Sequence, residues 1–277
     1  MGAYFRPSRL DEALTVLARP SAPPLVLAGG TDLYPGRVGR PIDEDVLDLS
    51  AIAALRGIAT GDAGWRLGAT TTWSEVAEAD LPPLFAGLQA AAREVGGRQI
   101  QNAGTLAGNL CNASPAADGV PALLALDAAV EIAGPNPRRL PLRAFLLGPR
   151  RTALAPGELV VALHVPRPAR PAEGAFVKLG ARRYLVISIA MASAVLEFDG
   201  DTVAAARVAV GACSAVAERL PALEAALAGR PRGRLAAVVS ESQLAPLSPI
   251  DDVRGSAGYR REAVVALLQR LLAGFAA

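Results

Sequence analysis

Cysteine is scarce: the 277-residue chain has two, Cys111 and Cys213, far apart in sequence. They make neither a disulfide framework nor a four-ligand metal site, and two thiolates cannot hold an iron–sulfur cluster within this chain. A reducing, cytoplasmic location is the expectation. Although 52% of the residues are hydrophobic, no run reaches the roughly 18 uncharged apolar residues of a membrane span. Met1 to Pro7 shows no basic stretch leading into an apolar one, so export is not expected. Aromatic residues are few (4%), and the net charge is +2 with the arginines scattered. That pattern excludes the basic footprint of a nucleic-acid binder. Lysine is rarer still: of 28 basic residues only Lys178 is lysine. GC-rich coding accounts for the bias as a whole but not for that one position.

The usual nucleotide and hydrolase signatures are also missing. There is no G-x-G-x-x-G, no G-x-x-x-x-G-K-[ST] and no G-x-S-x-G, so a Rossmann fingerprint, a P-loop and a nucleophile elbow are all excluded. His164 is the sole histidine and alternates within an apolar strand, where a packed or edge role outweighs a catalytic one. Trp65 and Trp73 read as packing residues, and Cys111 as a small buried side chain. Arg182 and Arg183 read equally as a solvated pair or as a partner contact.

What is present begins with alternating elements. Ser8 to Ala18 reads as a helix with Ser8 as N-cap and Leu10, Leu14 and Leu17 on one face. Pro20 to Pro24 ends it. Leu25–Ala28 and Val46–Leu49 read as short strands, which makes the first 50 residues a β-α-β-type unit. Trp65–Ala69 is a strand, and Thr72-Trp73-Ser74-Glu75 is a capping box. Pro82–Val95 and Val120–Leu126 read as helices, Ala129–Ala133 and Glu158–Val165 as strands, and Pro135–Pro141 as a turn-rich connection. Pro166 to Pro171, with three prolines in six residues, is the linker. Beyond it, Phe176–Leu179, Ile187–Phe198 and Val203–Gly211 read as strands. Leu220–Ala228, Arg234–Leu244 and Ser256–Phe275 read as helices. The expectation is α+β, with a C-terminal sheet covered on one side.

Two segments carry the chemistry. Val26-Leu27-Ala28-Gly29-Gly30-Thr31-Asp32-Leu33 places a glycine pair at a strand end, where successive N–H groups can converge on an anion. Asn102 to Asp118 reads N-A-G-T-L-A-G-N-L-C-N-A-S-P-A-A-D. Its Gly104-Thr105-Leu106-Ala107-Gly108-Asn109 stretch is expected to be a second turn with exposed N–H groups, helped by the Thr105 hydroxyl and the Asn109 amide. Two such turns suggest adjacent phosphates, as in a dinucleotide. Asp118 reads either as the N-cap of the following helix or as an acceptor for ribose hydroxyls.

These two segments resemble the flavin-binding segments of the FAD-carrying medium subunits of molybdenum hydroxylases, the group of the xanthine dehydrogenase and carbon monoxide dehydrogenase flavoproteins. The resemblance spans nearly the whole chain. It implies a two-part FAD-binding domain over 1–168 (1–57 a small β-α-β unit, 58–168 a larger α+β unit). A C-terminal domain over 172–277, a three-stranded sheet with a helix bundle, would follow. It further implies that Val26 to Leu33 hold one side of the FAD pyrophosphate and Gly104 to Asn109 the other. Asp118 would bind the adenosine ribose, and Val160 would make an apolar contact. Val95 stands where some members carry an aromatic flavin contact. Lys178, in F-V-K-L-G-A-R-R-Y-L-V-I-S-I-A, would face the flavin and stabilise negative charge on its reduced form; from composition alone it reads as a snorkelling surface lysine. Leu185 replaces the acidic residue of the animal enzymes, which leaves the acceptor open among NAD⁺, quinone, cytochrome and oxygen. The resemblance implies a large molybdenum-cofactor subunit and a small subunit with [2Fe–2S] clusters, assembled as a dimer of heterotrimers. Two readings of other classes remain: a non-catalytic nucleotide-binding or assembly protein reusing the fold, and a free-standing flavin oxidase.

Overall fold

The computed structural model describes residues 2–19 and 22–276. Pro20 and Ser21, the start of the expected proline break, lie outside the described residues. The first sheet is parallel. Val46–Asp48 lies between Tyr4–Phe5, a strand that sequence reasoning missed, and Leu25–Leu27. The helix Leu10–Leu17 packs Ala13 and Val16 against Leu47, Leu49 and Ile52. Its N-terminus is not capped by Ser8. Instead the Glu12 carboxylate reaches back and accepts from the N–H groups of Ser8 (3.1 Å) and Arg9 (3.2 Å).

A five-stranded antiparallel sheet follows, in the order Ile58–Gly61, Gly64–Gly68, Leu159–Pro166, Ala129–Ala133, Arg138–Pro141. The last strand occupies what was expected to be an irregular connection; Arg138 anchors it by pairing with the buried Glu158. Leu159–Pro166 carries a bulge between Val160 and Ala162. A bulge shifts the alternation by one residue. Val160 then joins the main core, while Leu159 and Val161 pack toward the first sheet. Helices Trp73–Glu78, Ala86–Glu94, Leu106–Asn112 and Gly119–Ala125 contribute to that main core. The Thr72–Glu75 capping box is present: Thr72 Oγ1 accepts from Glu75 N–H (3.3 Å), and Glu75 Oε2 accepts from Thr72 N–H (2.7 Å). The linker is pinned at its start, with Arg167 over the Trp65 ring at 4.9 Å.

The C-terminal sheet orders Ala172–Leu179, Ala190–Asp199, Thr202–Gly211 and a short edge strand, Glu218–Arg219. The expected one-sided cover does not hold. Every residue from Ala190 to Phe198 is buried. Val195 and Ala209 join the main core, whereas Ala194, Leu196, Val208 and Val210 pack under the helices Pro221–Leu227 and Ala257–Ala273. Alanine-rich strands present little side chain on either face, so cover can approach from both sides. The expected helix Arg234–Leu244 is instead a series of 3₁₀ turns (Arg232–Arg234, Ala236–Val238, Glu241–Leu244). Ser256 caps the last helix, its Oγ accepting from Tyr259 N–H at 3.1 Å.

Candidate functional site

A cleft of about 1240 Å³ opens between the first loop, the Gly104–Ala117 region and the segment around Leu185–Ile187. Sites for drug-sized ligands run to about 300–1,000 Å³, so this one suits something larger.

The first wall is the loop after Leu25–Leu27. A Cβ on Gly29 would lie 1.9 Å from the carbonyl oxygen of Ala103 and 3.0 Å from Gly104 Cα. The two sequence segments therefore touch backbone to backbone, an approach that only glycine permits. Gly30 turns the chain with φ +69°. Among the described residues, the N–H groups of Gly29, Gly30, Thr31 and Asp32 donate to no protein acceptor. Successive unpaired amides of this kind form an anion-binding concavity. Val26, Ala28, Gly29, Thr31, Asp32 and Leu33 line the cleft; Leu27 is buried, and Gly30 is half-buried and does not line it.

The second segment differs from its expected form. It is not an open turn but the start of the helix Leu106–Asn112, with Thr105 as N-cap. The N–H groups of Leu106 and Ala107 donate to the carbonyls of Thr71 and Ala69 (3.0 Å each), that of Gly108 to Thr105 Oγ1 (3.1 Å), and that of Asn109 to Thr105 O (3.1 Å). The backbone donors from Leu106 to Asn109 are already used, because the chain gains more by closing a helix than by leaving them open. A Cβ on Gly108 would meet Thr105 Oγ1 at 2.7 Å, so that glycine serves the cap. The segment still presents Gly104, Thr105, Ala107, Gly108 and Asn109 to the cleft, while Leu106 is fully buried. Asn109 Oδ1 is buried without a partner among the described residues. Such an atom is costly unless something donates to it.

Asp118 begins the helix Gly119–Ala125 but does not cap it. Its Oδ2 accepts from Lys178 Nζ (2.6 Å) and its Oδ1 from Ser188 Oγ (2.5 Å). Burial pushes its carboxyl above the usual range, and Lys178 and Ser188 pull it back. Lys178 is neither a snorkelling lysine nor a lining residue: its side chain is 7% exposed, and Nζ also donates to Glu94 O (3.2 Å). Its charge reaches the cleft only through Asp118, which does line it. No sequence signal linked Ser188 to Asp118.

Val160, Val95 and Leu185 all line the cleft, Leu185 with a left-handed backbone (φ +53°). Cys111 is exposed on the cleft wall, not buried as expected. Cys213 is buried, and both cysteines are free. His164 lies off the cleft with Nε2 2.5 Å from Glu131 Oε2. Arg150, missed in the sequence, lines the cleft and pairs with Asp32 at 2.9 Å. Among the described residues no group of three or more His, Cys, Asp or Glu could hold a metal ion, and no helix is long and apolar enough to cross a membrane.

Residues 1–168 match the family model described as the FAD binding domain in molybdopterin dehydrogenase, and residues 175–274 the CO dehydrogenase flavoprotein C-terminal domain. The chain is 29% identical to the xanthine dehydrogenase FAD-binding subunit of Escherichia coli O157:H7, covering 98% of this chain and 94% of that one. It is 28% identical to the carbon monoxide dehydrogenase medium chain of Hydrogenophaga pseudoflava, covering 97% and 95%. Among solved structures it is similar to reconstituted CO dehydrogenase from Oligotropha carboxidovorans, with TM-score 0.86, 28% identity, and coverage of 98% of this chain and 96% of that one.

Proposed function

We propose a role for this chain from one premise: it belongs to the family of FAD-binding subunits of molybdopterin dehydrogenases, and FAD is its cofactor. It is an oxidoreductase subunit whose substrate site lies on another chain. The finer reading is that it passes electrons from [2Fe–2S] clusters of a small partner subunit via FAD to an external acceptor. Substrate would be oxidised on a molybdenum cofactor in a large subunit, in a cytoplasmic dimer of heterotrimers. Two cysteines in the whole chain support placing the clusters elsewhere.

The observation that carries this reading is the Gly29–Asp32 loop, whose N–H groups lack protein acceptors and which is locked against Ala103–Gly104 in the same cleft that Asn109 lines. In that reading the loop holds the pyrophosphate, the Asn109 amide and the Thr105 hydroxyl add side-chain bonds, and Asp118 accepts from the ribose. Lys178 and Ser188 hold the Asp118 carboxylate in place. Val160, Val95 and Leu185 supply apolar wall. Bound FAD supplies the redox chemistry; the chain binds it, orients it and sets the charge around it. Asp118 and Glu158 are both engaged by cations, so no general base is assigned. We divide the chain at Pro166–Pro171, into 1–168 (1–57 and 58–168) and 172–277.

The test is co-expression with the neighbouring partner subunits and purification. Flavin absorbance in stoichiometric amount with this chain is expected; a complex without flavin sinks the reading. Gly108→Leu, which drives a side chain into Thr105, is expected to abolish flavin retention and acceptor reduction together. A non-catalytic assembly role predicts that the activity of the complex survives.

A further inference from the structure

We propose that Arg150 is the cation of the dinucleotide site. In this proposal it exchanges its present partner, the Asp32 carboxylate, for an oxygen of the ligand's pyrophosphate. This rests on the FAD reading above and adds a residue to it.

The argument starts from charge. A pyrophosphate brings two negative charges, and the cations around the cleft are few. Arg37 lines it but is held by both oxygens of Glu44, at 2.8 and 2.7 Å. Lys178 is buried on Asp118 and does not line it. Arg150 does line it, and its bond to Asp32 is one-armed: Nη1 lies 2.9 Å from Oδ2 and 3.4 Å from Asn112 O. Among the described residues nothing accepts from its Nε or Nη2. The two side chains of the pair are 63% and 57% exposed, so the pair is weakly held in water. The pyrophosphate offers the guanidinium fork two oxygens and two charges in all, against the single carboxylate oxygen that Arg150 now contacts.

Position supports the same conclusion. Asp32 belongs to the loop whose N–H groups lack acceptors, so its Arg150 partner stands beside that loop. The backbone of Arg150 is held independently of the ion pair. Its N–H donates to Ala113 O at 2.9 Å, at the end of the helix Leu106–Asn112, and it sits in a tight turn with φ +59°. A non-glycine residue in that region is uncommon and persists where the surroundings impose it. The side chain can therefore change partner without moving its anchor. Once Arg150 has left it, the Asp32 carboxylate is more than half exposed and is compensated by solvent, but its charge still opposes the phosphate beside it.

The experiment is titration of the flavin-stripped full-length chain with FAD, ADP and adenosine, by calorimetry and flavin fluorescence. Arg150→Gln is expected to weaken FAD and ADP by roughly 10–100-fold, as for a lost charged hydrogen bond, and to leave adenosine unchanged. Arg150→Lys is expected to lose less than Arg150→Gln. Asp32→Asn is expected to tighten FAD binding, because it frees Arg150 and removes the opposing charge. An unchanged ADP affinity in Arg150→Gln overturns the proposal. So does an Asp32→Asn loss that parallels the Arg150→Gln loss, which marks the pair as a structural clasp. A wild-type chain that binds neither FAD nor ADP overturns the FAD reading and this proposal together.

Discussion

Lys178 and Asp118 are each buried, and each is tolerable chiefly because of the other. Removing one partner of such a pair leaves an uncompensated charge, which typically costs about 3–5 kcal/mol. Lys178→Met is therefore expected to lower the unfolding free energy by about that amount in denaturant melts, and Lys178→Met with Asp118→Asn to recover much of it. A double variant as unstable as the sum of the singles would show that the two are not coupled. The pH dependence follows from burial. Without Lys178, nothing but Ser188 opposes the upward push on the Asp118 carboxyl. An acid whose folded pKa is raised binds its proton more readily in the folded state, so stability rises as pH falls. The Lys178→Met variant is expected to regain stability on acidification from neutral pH toward the unfolded value near 3.9. Denaturant melts across that window check it.

At the scale of elements, two contacts set the shape of the site. The first is the approach of the Gly29 loop to Ala103–Gly104. Gly29→Ala places a methyl group on a carbonyl oxygen, so the strand-end loop and the helix entry must separate. Overpacking of this kind costs about 1–3 kcal/mol, and flavin retention by the purified chain is expected to fall with it. The second is Glu158, at the start of the central strand, which accepts from Arg138 and from Ala155 N–H. Arg138 holds its carboxyl below the usual range despite the opposing effect of burial. The sign is that of a depressed acid. Its contribution is complete above the unfolded value of about 4.3 and is lost as pH falls through the lower folded value. Glu158→Gln is expected to flatten the acid limb of the stability curve. An unchanged acid limb would mean that the pair contributes nothing to it.

For the whole molecule, on the reading proposed above, FAD contacts three parts that line one cleft: the parallel sheet's loop, the Leu106–Asn112 helix and the Leu185–Ile187 segment of the C-terminal part. A ligand that binds only the folded state at a hundred times its dissociation constant stabilises by about 2.7 kcal/mol. For a chain of this size that raises the melting temperature by about 5–10 °C. Scanning calorimetry with and without FAD measures it; coincident melts would mean that the ligand does not bridge these parts. The sequence was enough for the α+β class, for Thr72–Glu75 and Ser256 as helix starts, and for the two segments that line one cleft. Those features depend on local spacing and on glycine at a strand end. The N–H groups of Leu106–Asn109, the burial of Lys178 and the two-sided cover of the C-terminal sheet were not legible. Each depends on a partner distant in sequence: Thr71 and Ala69, Asp118, and the helices packed on both faces. Local pattern by itself determined where the chain turns and which residues can line a cleft. Only the tertiary structure decided which of those residues keep free donors and charges, because that depends on which acceptors the fold brings to them first.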